Sequence, residues 1–272
     1  MSHKLAVITV VYQNYDVLQD FFKSLSEQTD RDFHLYIADL SKDKQPIDPQ
    51  PFEMTVIPAE NKGYAHGVNV GQTKASSDGY DQFCIMNNDT YFQKEFIAEV
   101  KKSLGDHPRS IVTGKIYYAP GYEYHTDRYA KHDLGKVIWY AGGTINWHHV
   151  ITPHRGVDEV DKGQWNEPGN ITFATGCLLA YDRHVADVVG PWDESYFLYY
   201  EDADFSVRAL QKEIEIHYEP KIVIWHKNGQ STDGAGSSIH TKYQTKNRMK
   251  FGMKYAPLRT KLHLIKNAML GS

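Results

Sequence analysis

Four short groups of residues carry side chains at spacings that could do chemistry. Asn61-Lys62-Gly63-Tyr64-Ala65-His66-Gly67-Val68-Asn69-Val70-Gly71 repeats glycine every four residues. On a helix those glycines share one face, at a cost of about 1 kcal/mol each relative to alanine, and let a backbone or a ligand come close. The face suits tight packing on a sheet, or a nucleotide or sugar at the helix start with Asn61 as a hydrogen-bonding post. Asn87-Asn88-Asp89 ends an apolar run. A carboxylate there can hold a hard divalent cation that neutralises a diphosphate, though Asn and Asp also build plain Asx-turns. Glu201-Asp202-Ala203-Asp204 follows the aromatic run Tyr196-Phe197-Leu198-Tyr199-Tyr200. One acid is enough to complement a helix dipole. Three beside aromatic surface also supply a general base, because partial desolvation raises a carboxylate's basicity. Trp225-His226 ends the last apolar run, and a histidine there is either structural or a metal ligand. His125, His132, His148, His149 and His154 lack ligand spacing and read as surface or acceptor-side groups.

These groups need a scaffold. Leu5 to Val11 is a continuous β-branched, apolar run, as expected of a strand covered on both faces. Asp16 to Glu27 places Val17, Phe21, Phe22 and Leu25 on one helical stripe. Leu35–Ala38, Met54–Ile57 and Gln82–Met86 read as further strands, with the Pro-rich 45–52 stretch as a connection. Such alternation predicts a twisted, mostly parallel sheet, with ligands beyond the carboxyl ends of its strands. The residues after each strand, Tyr12-Gln13-Asn14, Asp39, Asn61 and Asn87-Asn88-Asp89, therefore come under suspicion first. Farther on, Ile171–Tyr181 reads as a strand, Asp202–Gln211 as a helix whose buried stripe is Ala203, Val207, Leu210 and Ile214, and Ile214–His217 and Ile222–Trp225 as two more strands. Pro120–Asn170, rich in Gly, His, Tyr and Trp, has weak periodicity.

Composition narrows the classes. With 41% apolar and 13% aromatic residues the chain can build a sizeable core and is not disordered. No apolar run approaches the roughly 18 residues of a membrane span, and Met1-Ser2-His3-Lys4 leads directly into a strand, so the expectation is a cytoplasmic protein. Cys84 and Cys177 can form neither a disulfide framework nor a four-cysteine zinc site, and they suit a reducing compartment. The net charge of −4 is divided. Residues 234–272 hold eight Lys/Arg and no acid, which gives +8, while the rest hold 22 Lys/Arg against 34 Asp/Glu, which gives −12. That asymmetry points to an anionic partner at the C-terminal end, although the acidic body is no nucleic-acid surface.

In this order, the four groups resemble the inverting family 2 glycosyltransferases of the GT-A fold, most closely the bacterial rhamnosyltransferase and galactofuranosyltransferase-like branch. The matching stretches are Val7–Asn14, Asn61–Gly71, Asn87–Asp89, Thr175–Arg183, Trp192–Leu210 and Trp225–Ser231. The resemblance implies an α/β, Rossmann-like sheet with helices on both faces. It implies a GT-A domain over 1–233, divided into a nucleotide-sugar-binding half (1–118) and an acceptor and catalytic half (119–233), then a basic helical tail over 234–272. It also implies transfer of a sugar, with a lean to rhamnose from dTDP-rhamnose, to a hydroxyl of a glycan or lipid-linked acceptor in bacterial surface polysaccharide synthesis.

Position by position, the resemblance makes Asp202 the catalytic base and assigns the metal, Mg²⁺ or Mn²⁺, to Asp89 and His226. Val10, Tyr12, Asp39, Asn61, Gly63, Asn87, Asn88, Asp89 and Gly176 would face the donor. Trp147, Cys177 and Glu201 would face the acceptor, with Tyr140 and Gly142-Gly143 in the same wall. Two departures stand out. The D-x-D of the family is Asn87-Asn88-Asp89 here, which leaves one carboxylate, and D-N-G-S is Asp39-Leu40-Ser41-Lys42. An imidazole ligand favours Mn²⁺ slightly. A single displacement needs no protein nucleophile, in keeping with the lack of any Ser-His or Cys-His arrangement.

The tail has a second reading. Leu258, Leu262, Ile265 and Met269 share a helical stripe flanked by Arg259, Lys261 and Lys266. That pattern suits an anionic membrane surface, or a helix packed on the body with a solvated basic face. Three other functions are weaker: a catalytically silent nucleotide-sugar-binding module, a nucleic-acid-binding tail, and a nucleotidyltransferase, which would need a Gly-rich phosphate loop after the first strand.

Overall fold

A computed structural model describes residues 4–229 and 238–270. The first apolar run forms β1 (Leu5–Val11), with Leu5, Ala6, Val7 and Ile8 fully buried. Helix α1 (Leu18–Ser26) buries Leu18, Phe21 and Leu25. Next come β2 (Phe33–Asp39), β3 (Met54–Pro58), α2 (Tyr64–Ser77) and β4 (Gln82–Met86). These strands lie in parallel, in the order β3-β2-β1-β4. Glycine lets α2 sit directly on β1. A Cβ at Gly67 would stand 2.7 Å from the Val10 methyls, and one at Gly71 2.6 Å from an Ile8 methyl.

Beyond β4 the sheet is mixed. Residues 90–118 form β5 (Thr90–Phe92), α3 (Phe96–Asp106) and β6 (Ile111–Tyr118). They are followed by β7 (Ile138–Tyr140), β8 (Gly169–Ile171), β9 (Leu178–Asp182), α4 (Arg183–Val189), α5 (Glu201–Gln211) and β10 (Ile216–His226). The sheet continues β4-β9-β6-β10-β5, with β9 antiparallel to both β4 and β6.

Two expectations are corrected here. Ile171–Tyr181 is not one strand: β8 pairs with β10, β9 pairs with β4, and residues 172–177 cross between them. In the crossing, the Phe173 N–H donates to the Gly143 carbonyl, Ala174 to the Ser206 hydroxyl and Gly176 to the Asp202 carboxylate, so no ladder can form. Conversely, Ile216–His217 and Ile222–Trp225 belong to one strand, β10, while Ile214 and Glu215 lie before it. A register shift between Glu219 and Val223 accommodates Pro220, which has no N–H to give. The irregular 119–166 region is pinned to β6 by a buried ion pair. Lys115 Nζ lies 2.7 Å from Asp161 Oδ2, which the Tyr117 hydroxyl also contacts.

The chain ends in α6 (Ser238–Tyr255) and α7 (Leu258–Leu270), separated by Pro257. The expected body–tail boundary at 233/234, and the end of the motif at Gln230 and Ser231, lie outside the described residues. Helix α6 lies on the body: Phe251 is fully buried and stacks on Trp147, and Lys254 pairs with Asp193 and Asp204. No described helix is long and apolar enough to cross a membrane.

Candidate active site

The carboxyl ends of the parallel strands open one side of the site. Register places Val11 beside Asp39. Asp39 is buried and already engaged: Oδ1 accepts the Ser41 N–H at 2.9 Å and Oδ2 the Tyr15 hydroxyl at 2.8 Å. The Gln13 N–H donates to Ser41 Oγ, completing a knot at the end of β1, where Val10 is half-buried and Tyr12 exposed. Asn61 is exposed, and its Oδ1 accepts the Gly63 N–H at 3.1 Å, which shapes the turn into α2.

Gly63 has φ +102°, and an added Cβ would lie 2.2 Å from the Phe197 carbonyl oxygen. The next N–H, of Tyr64, donates to that oxygen at 3.0 Å. Asn69 and His66 extend the seam, Asn69 exchanging hydrogen bonds with the Trp192 backbone and His66 meeting Glu194. The start of α2 is thereby joined to the loop leading into α5.

The crossing before β9 is the hub. The Gly176 N–H donates to Asp202 Oδ2 at 2.9 Å, and the Gly176 carbonyl accepts the Tyr64 hydroxyl at 2.8 Å. The Cys177 carbonyl accepts the Asn87 N–H at 3.1 Å, and its thiol meets His226. Pairing of β5 with β10 sets His226 opposite Thr90, and His226 Nε2 lies 3.2 Å from Asp89 Oδ1. Asp89, Asn88 and His226 are all buried, and Asn87 is half-buried. Asp89, Asp202 and His226 thus converge on Gly176-Cys177 although they are far apart in the chain.

The three acids of α5 separate by environment. Asp204 is fully buried and bound by Arg208, Lys254 and Tyr255, which makes it a structural anchor. Asp202 accepts two backbone N–H groups, from Gly176 and Ala203, which favour its charged form while burial pushes it above the usual carboxylate range. Glu201 is buried, and its Oε2 has no hydrogen-bond partner. Burial and the Asp202 charge hold it well above that range. Of the pair, Glu201 is raised the more strongly, by burial and by the charge of Asp202 beside it. Burial opposes a charge on His226, and the neighbouring Cys177 and Asp89 more than offset it, holding the imidazole well above its ordinary value.

Asp89 and His226, one carboxylate and one imidazole with the Asn87 and Asn88 amides beside them, are too few to cage a metal alone. Among the described residues no three His, Cys, Asp or Glu side chains group for that purpose. A site completed by phosphate oxygens suits them better, since Mg²⁺-type sites use one or two carboxylates plus substrate phosphates.

Trp147 lies elsewhere. It stacks on Phe251 at 5.5 Å and lines a groove of about 320 Å³ with Ile145, Thr172, Val207, Leu210 and Gln211, further along α5 than Asp202. The indole that reaches the site is Trp139, half-buried, with its ring 4.8 Å from His226 and edge-on to it. The alternation of β7, with Ile138 and Tyr140 buried, turns Trp139 to the other face, but only the register of β7 on β6 reveals where that face points. Tyr64 is the other residue not foreseen, because its role depends on a contact with Gly176.

The sequence model of Glycosyl transferase family 2 matches residues 6–190. A curated relative, the dTDP-rhamnosyl transferase RfbF of Shigella flexneri, is 23% identical over 172 residues, covering 63% of this chain and 51% of its own. The chain therefore spans about half the length of that relative. Among solved structures, GalNAc-T7 with UDP, GalNAc and Mn²⁺ superposes with a TM-score of 0.64 at 14% identity, over 82% of this chain and 43% of that one. Residues 1–349 of S. aureus TarS in complex with UDP give a TM-score of 0.52 at 15% identity, over 80% and 60%. These two share its fold.

Proposed function

The chain belongs to glycosyl transferase family 2, and from that premise we propose that it is an inverting enzyme moving a sugar from a nucleotide-diphosphate donor to an acceptor hydroxyl, with Asp202 as general base. The observation that carries the proposal is the convergence of Asp202, Asp89 and His226 on the Gly176-Cys177 hub. Two backbone N–H groups orient the Asp202 carboxylate and favour its charged form, against the burial that raises it and Glu201 more strongly. Asp202 takes the proton of the acceptor hydroxyl as its oxygen bonds to the anomeric carbon. The bond from that carbon to the diphosphate breaks on the opposite face, so configuration inverts. A divalent cation held by Asp89 and His226 would offset the charge of the leaving diphosphate.

The α2 start and the knot around Asp39 form the donor side, with Val10, Tyr12, Asn61 and Gly63. Glu201, Cys177 and Trp139 lie toward the acceptor. The RfbF likeness supports dTDP-rhamnose as donor, and a glycan or lipid-linked acceptor in surface polysaccharide synthesis accords with it.

A nucleotide-sugar panel read by thermal shift with Mn²⁺ or Mg²⁺ tests the proposal. At about a hundredfold above Kd, dTDP-rhamnose is expected to raise Tm by about 5 °C. Asp89→Ala is expected to weaken metal-supported donor binding about tenfold or more and to remove its sensitivity to EDTA. No stabilisation by any nucleotide sugar would sink the proposal, and unaltered Asp89→Ala binding would remove Asp89 from the metal site.

The same reading places α7 on a membrane. Leu264 seats α7 against Gly252 of α6, while Leu258 (73% exposed), Leu262 (59%) and Met269 (82%) face outward beside Arg259 and Lys266. An apolar stripe with a basic flank fits an anionic bilayer surface. The protein is expected to float with vesicles containing phosphatidylglycerol and not with phosphatidylcholine alone. Combined Leu258→Ser, Leu262→Ser and Met269→Ser should abolish flotation, and failure of the unaltered chain to float would refute the reading.

A further inference from the structure

Two consecutive non-glycine residues adopt left-handed backbone just before α5: Tyr199 at φ 68° and Tyr200 at φ 71°. Such conformations are unfavourable for L-residues and persist only where the surroundings over-determine them. The Tyr200 end is held from the body. Its carbonyl accepts the Asp204 N–H at 2.9 Å, and its hydroxyl donates to the Val150 carbonyl at 2.9 Å. The other end is held from α6. Asn247 is 1% exposed, and its Nδ2 donates to the Leu198 carbonyl at 2.8 Å and to the Tyr199 carbonyl at 3.1 Å. An amide NH₂ has two hydrogens, so Asn247 spends its whole donor capacity on this turn.

The turn fixes the direction in which α5 starts. Asp202 is the second residue of α5, and its Oδ2 is seated on the Gly176 N–H. We infer that Asn247 is a positioning residue for Asp202, acting through the left-handed Tyr199-Tyr200 turn. The inference rests on the reading of Asp202 as the base. It gives the C-terminal region a part in the chemistry that sequence patterning does not suggest, since Asn247 lies on a helix with no clear apolar stripe.

Amide hydrogen exchange on the intact chain reads the Gly176 N–H directly, without substrate. Asn247→Asp keeps the shape and removes both donor hydrogens, and Asn247→Ala removes the group. Both are expected to speed Gly176 exchange about tenfold relative to amides in β1. Both should lower kcat for dTDP release from dTDP-rhamnose about tenfold or more, with the donor KM little changed. Leu264→Ala, which loosens α7 from α6 away from the turn, should lower Tm and leave both readings alone. Asn247 variants that lose Tm but keep wild-type Gly176 exchange and kcat overturn the inference. Wild-type turnover in Asp202→Asn would sink the base reading and this inference together. An inactive Asp202→Asn beside unchanged Asn247 variants would overturn the inference alone.

Discussion

Asp202→Asn is expected to lower sugar transfer by about three orders of magnitude, the scale of a positioned general base, while donor affinity stays within about twofold. The amide fits the space of the carboxylate and its oxygen can still accept the Gly176 N–H, at the loss of the Ala203 N–H bond to the other oxygen, so the fold should hold. What is lost is the proton acceptor. The pH dependence follows from the same environment. Burial raises the Asp202 pKa, the base works only when ionised, and the rate therefore climbs with pH through a pKa above the ordinary carboxylate range. On the stability side the sign is opposite. A carboxyl whose folded pKa is raised binds more protons folded than unfolded, so its contribution is present at low pH and is lost as pH rises through the raised value. Glu201 follows the same rule more strongly. Kinetics and calorimetry across pH check both trends. Equal transfer by wild type and Asp202→Asn would show that the base assignment is wrong, whereas donor binding without any transfer by the unaltered chain would point to a silent nucleotide-sugar-binding module.

Gly63→Ala is expected to be the most damaging single-methyl change. Two costs combine: left-handed backbone at φ +102°, and a Cβ that would sit 2.2 Å from the Phe197 carbonyl oxygen and 2.7 Å from its Cα. Neither contact is the end of a flexible side chain, so α2 or the 197 loop must move. That breaks the Tyr64 N–H bond to Phe197 and draws the Tyr64 hydroxyl from Gly176. The expected loss is about 3 kcal/mol of stability, with kcat/KM down about a hundredfold through misplacement of the site. Gly79→Ala is the control, because Gly79 has φ +89° and nothing within 4 Å of its added Cβ. It should cost only about 1–2 kcal/mol, the price of the backbone conformation. Equal denaturation midpoints for the two variants would show that the Phe197 contact couples nothing.

The parallel half was legible because its signals are local. Leu5–Val11 is apolar without interruption since both faces are covered, and Phe21 and Leu25 mark the single buried stripe of α1. Gly67 and Gly71 announced a close approach, and the packing alternative to a ligand proved right for those two: β1 fills the space. The order of the four chemical groups was readable for the same reason, since each follows an apolar run. Past Asp89 the signals become non-local. Thr172–Cys177 looks like strand because Phe173, Ala174 and Cys177 are apolar, yet its N–H groups bond a loop and a helix. Two apolar runs, Ile214–His217 and Ile222–Trp225, read as separate strands, and Pro220 between them sits in the bulge of one strand, β10. Trp147 and Trp139 are indistinguishable as sequence, and only register assigns Trp139 to His226 and Trp147 to Phe251. In α6, Asn247 and Phe251 are buried against the body and Lys254 pairs with Asp193 and Asp204, contacts that a lysine-rich sequence does not single out.

The seam between the two halves of the sheet has a kinetic consequence. Strand β9 joins β4, formed early in the chain, to β6 and β10, and the residues immediately before it hold Asp202, Tyr64 and Asn87. Pairings across so much intervening chain close slowly, because the loop entropy is lost before the contacts reward it. Pairing within the parallel half also spans much chain, with Leu5 set against Gln82, and the hub forms only when β9 has closed on β4 and β6. A chain in which that seam had not closed would therefore lack the hub that joins Asp202, Tyr64 and Asn87.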